Sequence, residues 1–143
     1  MTKANQSSQD ALTMIQKMGA RATTARVSVL NVLLSANYAL THGEIEQALG
    51  VKDGEIEKVT LYRVLDWLVN QELAHKIVGA DRVWRFNAQR HPVPRHAHFN
   101  CNDCGKVFCL ENLNPVFAVT LPRGFRLDRA DVSLQGLCPG CSH

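Results

Sequence analysis

No stretch of the 143 residues approaches the roughly 18 consecutive apolar positions that a membrane-spanning helix needs. Met1 to Asp10 is polar and lacks the basic-then-apolar order of a secretory leader, so the expected location is the cytoplasm. Internal repeats and low-complexity segments are absent as well. There is no polybasic run: Lys17, Arg21, Arg26, Lys58 and Arg63 are dispersed, and the net charge is only +3. Any binding to nucleic acid must therefore depend on where charges are placed rather than on their sum. The sequence also has no His-Glu-x-x-His or deaminase-type motif, which leaves little support for a zinc hydrolase.

What is present is an ordinary globular composition, 45% hydrophobic and 20% charged, with five cysteines. Four of them form two Cys-x-x-Cys pairs, Cys101/Cys104 and Cys138/Cys141. In a reducing compartment such pairs are metal ligands more often than disulfides. Two thiolates separated by two residues bind one ion from a tight turn, and Gly105 eases the first turn. Two such knuckles complete a tetrahedral zinc site, closed to substrate and hence structural. The alternative is two unrelated redox or buried cysteine pairs.

Punctuation divides the chain. Up to about Asn87 it reads as helices followed by a hairpin. Gln89 to Arg95, with Pro92 and Pro94, reads as a linker. The remainder holds every cysteine and reads as short strands. Ser8 to Met18 predicts a helix closed by Gly19. Thr24 is placed to cap a second helix carrying Val27, Leu30, Leu33 and Leu34. Thr41-His42-Gly43-Glu44 is a capping box with Ile45, Ala48 and Leu49 behind it and Gly50 as the stop. A fourth helix spans about Glu55 to Gln71, with Leu61, Val64, Leu65 and Leu68 as its buried stripe. Strands over Ala74–Val78 and Arg82–Phe86 flank the turn Gly79-Ala80-Asp81. Helices followed by such a hairpin are the layout of a winged helix-turn-helix.

On the fourth helix, Val59 and Arg63 point away from the buried stripe, with Thr60 and Tyr62 on its flanks. This strip can enter a DNA major groove. Arg63 suits a phosphate or a guanine, and Tyr62 a thymine methyl or a phosphate. Arg21 can reach the backbone or minor groove, and Arg26 a phosphate. The plainer alternative makes Tyr62 and Arg63 ordinary surface residues of an amphipathic helix.

A second cluster precedes the first knuckle. On a strand, His96 and His98 share one face. Cys109 falls on the expected next strand, Lys106 to Leu110, and His75 on the first wing strand. Together they make a mixed nitrogen–sulfur set suited to zinc and other borderline-soft ions. The alternative leaves two surface histidines and a small buried cysteine. Read as an open zinc centre, His96, His98 and Cys109 with Glu111 as general base would be the remote hydrolase alternative.

At this point the pieces resemble the ferric uptake regulator superfamily. Val59-Thr60-Leu61-Tyr62-Arg63-Val64-Leu65 looks like its recognition helix, and Arg21-Ala22-Thr23-Thr24-Ala25-Arg26 is similar to its helix entry. His96-Ala97-His98-Phe99-Asn100-Cys101-Asn102-Asp103-Cys104-Gly105 resembles its most specific signature, and Gly136-Leu137-Cys138-Pro139-Gly140-Cys141 its closing knuckle. The resemblance implies an α+β fold: a winged-helix DNA-binding domain over 1–87, a hinge over 88–95, and a small α/β dimerisation and metal-binding domain over 96–143. It implies a homodimeric, metal-dependent repressor acting on double-stranded operator DNA. The expected operator is A·T-rich and partly palindromic.

Within the superfamily, Leu65-Asp66-Trp67-Leu68 and Ala74-His75-Lys76 look most like the zinc uptake regulators, with an iron sensor of the same fold as the alternative. His75 matches a sensory ligand of that branch, and His96 and His98 match the paired histidines of iron and zinc sensors. Cys109 stands where the superfamily commonly has glutamate. Each subunit is thus expected to hold a structural and a second, regulatory Zn2+. Trp84-Arg85-Phe86 supplies no ligand where many members have one on the second wing strand, and Tyr38-Ala39-Leu40 lacks a histidine often found there. This leaves Cys109 as fourth ligand, with Glu111 in reserve. Ala130 stands where a further metal site often has a histidine.

Overall fold

The computed structural model describes residues 3–50, 57–90, 97–110, 120–127 and 132–142. The chain divides into two compact units, Met1–Pro92 and Val93–His143.

The first unit contains α1 (Lys3–Lys17), α2 (Thr24–Ser35), α3 (His42–Ala48), α4 (Lys58–Asn70), β1 (Ala74–Val78) and β2 (Trp84–Ala88). The first helix begins earlier than Ser8 and ends at Lys17, with Gly19 closing it at φ +76°. The cap of α2 is Thr23, not Thr24: its extended backbone and its hydroxyl, which accepts from Arg26 N, occupy the capping position. Thr24 is the first helical residue. The capping box of α3 is present, with Glu44 N donating to Thr41 Oγ1 and Thr41 N to Glu44 Oε1. The described part of the fourth helix starts at Lys58 with Glu57 as its N-cap; residues 55–56 of the expected span lie outside the described residues.

Leu61, Val64, Leu65 and Leu68 of α4 are buried and meet Ile15 of α1, Leu30 and Leu33 of α2, Ile45 of α3 and Phe86 of β2 in one core. This buried face orients α4 and leaves its opposite side outward.

β1 and β2 pair antiparallel, with Lys76 opposite Phe86 and Val78 opposite Trp84. The second strand runs Trp84–Ala88, two residues later than the sequence pattern suggested. Arg82 and Val83 belong to the turn, where Arg82 adopts φ 66° and donates its N–H to Gly79 O. Asp81 also holds the turn, accepting from Val83 N and from both Arg85 guanidinium nitrogens, at 2.7 and 2.8 Å. Leu40 joins the sheet as an isolated bridge to Phe86.

The second unit contains β3 (Ala97–Cys101), β4 (Val107–Leu110) and β5 (Val132–Gly136) in the order β4-β3-β5. β4 runs antiparallel to β3 and β5 parallel to it. Asn100 fixes the second pairing by donating to Ser133 Oγ at 3.1 Å. Gly136 lies against the Phe99 ring, where a Cβ would approach Phe99 Cζ to 3.0 Å. Among the described residues, no helix is long and apolar enough to cross a membrane.

Candidate metal centre and nucleic-acid interface

The central strand of the second unit ends at Cys101, and the next turn returns the chain through Cys104. Gly105 at φ 74° makes that turn possible, donating its N–H to Cys101 O. The parallel strand β5 then delivers Cys138 and Cys141 to the same end: Asn102 N bonds Gly136 O at 2.7 Å, and Cys138 N donates to Cys101 Sγ at 3.4 Å. All four sulfurs lie within 4.8 Å of one another.

The donor set fits a tetrahedral thiolate-loving cation. Sulfurs bound at about 2.3 Å around one such ion stand about 3.8 Å apart, and Cys104 Sγ lies 3.8 Å from Cys138 Sγ. The backbone N–H groups of Cys104 and Cys138, the former contributing more, lower the Cys101 thiol to about 6. Burial, then hydrogen bonding to Cys138 and Cys101, pushes Cys141 up. At Cys104 the Lys106 N–H favours the thiolate, but burial and the Cys101 and Cys138 sulfurs raise the thiol overall. The cluster therefore favours one thiolate and resists four adjacent negative charges, a conflict that a divalent cation removes.

His98 and Cys109 are directly opposite on β3 and β4, and each offers a ligand atom within 4.8 Å of the other. Both are half-buried. His75 lies on β1 of the first unit opposite Asn87. His96, Glu111 and Ala130 lie outside the described residues.

On α4, Val59, Thr60, Tyr62 and Arg63 are all exposed, a strip opposite the buried leucines. Arg21 is exposed just before α2. Arg26 is engaged inside the unit: its guanidinium lies 3.7 Å over the Trp67 ring and donates to Arg21 O at 2.9 Å. It braces α2 against α4, a role that its sequence context did not indicate. Sequence reasoning also gave His42 only a place in a helix. The structure sets that imidazole edge-on to both Tyr62 and Phe86.

A winged helix followed by a small sheet with four converging thiols defines the class: a winged-helix regulator with a metal-ready second unit. The sequence model of the ferric uptake regulator family matches residues 17–116. The chain is 31% identical over 128 residues to the transcriptional regulator FurA of Mycobacterium tuberculosis (strain ATCC 25618 / H37Rv), covering 85% of this chain and 83% of that protein. It is 26% identical over 124 residues to the zinc uptake regulation protein of Escherichia coli K12, covering 85% and 72%. A zinc uptake regulator solved with zinc and DNA shares the fold with a TM-score of 0.70 at 20% identity, over 98% of this chain and 95% of that one. The Helicobacter pylori ferric uptake regulator shares it at 0.60, with 21% identity over 98% and 94%. The chain belongs to the ferric uptake regulator family.

Proposed function

We propose that this chain is a homodimeric transcriptional repressor that binds operator DNA when it carries zinc. The winged-helix domain comprises residues 1–87, the hinge 88–95 and the dimerisation and metal-binding domain 96–143. The observation that carries this reading is the exposed strip Val59, Thr60, Tyr62 and Arg63 on a helix whose other face is locked into the core. Such a helix can enter a major groove without losing its packing. Arg21 extends the same role to the backbone, and Arg26 contributes by holding the helix pair.

Cys101, Cys104, Cys138 and Cys141 hold the structural zinc, which ties the end of the chain to β3. His75, His96, His98 and Cys109, with Glu111 in reserve, make up the proposed sensory set. When bound, the sensory metal supplies a cross-link between ligands from both domains. Ligands drawn from both domains make metal affinity depend on their relative pose, so metal and operator favour each other reciprocally. The soft Cys109 sulfur favours zinc over iron. The iron-sensing alternative draws on the family, whose description is ferric uptake regulation.

β5 supports the dimer. One edge pairs with β3, and among the described residues no strand covers the other, while Leu134 and Leu137 are exposed. A second copy of the chain covers such an edge. An unbiased selection from random duplexes tests the reading, run with buffered zinc, ferrous iron and manganese after the structural site is filled. Enrichment of an A·T-rich, two-fold symmetric site with zinc is expected. Recovery of no preferred sequence with any metal would remove the repressor reading, and enrichment with iron alone would select the alternative.

A further inference from the structure

Two backbone hydrogen bonds fix the entry to α3: Leu40 N donates to Phe86 O at 2.8 Å, and Phe86 N donates to Leu40 O at 2.7 Å. They hold the first residue of α3, His42, against the wing. Its ring meets Phe86 edge-on at a centroid distance of 4.9 Å and Tyr62 at 4.7 Å, with interplanar angles of 72° and 87°. Phe86 is 1% exposed and packed in the core; Tyr62 is 43% exposed and belongs to the outward strip of α4. His42 therefore stands between a fixed ring in the core and an aromatic ring offered to DNA. Its side chain is not needed to hold α3, because Thr41 and Glu44 cap that helix.

We propose that His42 is a positioning residue for sequence recognition, setting the Tyr62 ring in its reading orientation before DNA arrives. The assignment rests on the DNA-binding role given above to α4. An exposed tyrosine loses rotamer freedom when it docks on a base, and a ring already held by an edge-to-face contact loses less. The contact is needed only where Tyr62 reads sequence, so it acts on discrimination rather than on general attraction to phosphate. Burial, then the Lys76 ammonium on β1, lowers the His42 pKa, while Glu46 on α3 and Asp66 on α4 oppose the shift. The ring that meets Tyr62 at neutral pH is therefore the uncharged one.

The test measures affinity of the zinc-loaded full chain for its selected site and for a scrambled duplex, well below the melting temperature. His42→Ala is expected to lower the ratio of the two affinities about three- to tenfold, the scale of one aromatic pair, with scrambled-duplex binding unchanged. His42→Phe restores the edge contact and should recover most of the ratio. In a Tyr62→Ala background, His42→Ala should cost nothing further. An unchanged ratio in His42→Ala, an equal loss on both duplexes, or an undiminished cost without Tyr62 overturns the assignment. A parent protein without site preference overturns the recognition reading and this assignment with it. A discriminating parent with an unaffected His42→Ala variant overturns this assignment alone.

Discussion

At Gly79 the wing turn has no room for a methyl group: a Cβ there would overlap Arg85 Nη1 and come within 2.8 Å of Asp81 Oδ1. Gly79→Ala must therefore push the Arg85 and Asp81 side chains off their two-pronged pair, at an expected cost of up to about 1 kcal/mol in urea unfolding; a loss of several kcal/mol would show that these side chains cannot swing aside. Hydrogen bonding from Arg85, then from the Val83 N–H, holds the Asp81 carboxyl well below the usual carboxylate range. Its stabilising contribution is complete above an unfolded pKa of about 3.9 and is lost as pH falls further. His42 acts in a higher window. Burial and Lys76 hold it below its ordinary value of 6.5, so the unfolded chain binds its proton more readily. Stability from neutral His42 is thus complete above about 6.5 and declines as pH falls toward the folded value. Melts between pH 7.5 and 5.5 should show a shallower decline for His42→Phe than for the parent, and parallel curves would contradict the sign of the shift.

At the scale of elements, α4 is held by burial of one stripe. Leu65 is fully buried in the shared core, and Leu65→Ala should destabilise the first unit by about 2–5 kcal/mol in denaturant titration. Removing the α2 cap with Thr23→Ala should cost about 1 kcal/mol, whereas Thr24→Ala should cost little, a contrast that tests the observed helix start. That helix illustrates what local pattern can reveal. Two adjacent threonines offer the same cap chemistry, and only the folded helix shows that Thr23 is the one whose hydroxyl accepts from Arg26 N. The capping box at Thr41 and the stripe Leu61, Val64, Leu65 and Leu68 were legible because each depends on residues within one helix. The β2 boundaries were not: Arg82 and Val83 look strand-like in sequence, but the Asp81–Arg85 pair and the left-handed Arg82 extend the turn. The cysteine pairs were conspicuous because their spacing is itself the chemistry. The roles of His42 and Arg26 were hidden because Phe86, Tyr62 and Trp67 reach them only through tertiary structure.

For the whole molecule, the two Cys-x-x-Cys turns connect segments more than thirty residues apart around a small three-stranded sheet. Metal binding of this kind contributes directly to folding. Cys101→Ser and Cys138→Ser should lose bound zinc and yield a monomeric or unfolded second unit by native mass measurement; a folded, zinc-free dimer would exclude a structural role. In the proposed reading, metal control of DNA binding depends on the other donors. The most direct measurement is a buffered-zinc titration of affinity for the selected operator, comparing parent and Cys109→Ser with four-cysteine zinc occupancy and dimer mass verified in both. Zinc should raise operator affinity of the parent at least tenfold, on the order of the 1–3 kcal/mol common for coupled sites, and leave Cys109→Ser almost unresponsive. Equal zinc responses in the two proteins would contradict the assignment of Cys109 to the sensory site, and no response in either would contradict zinc control itself.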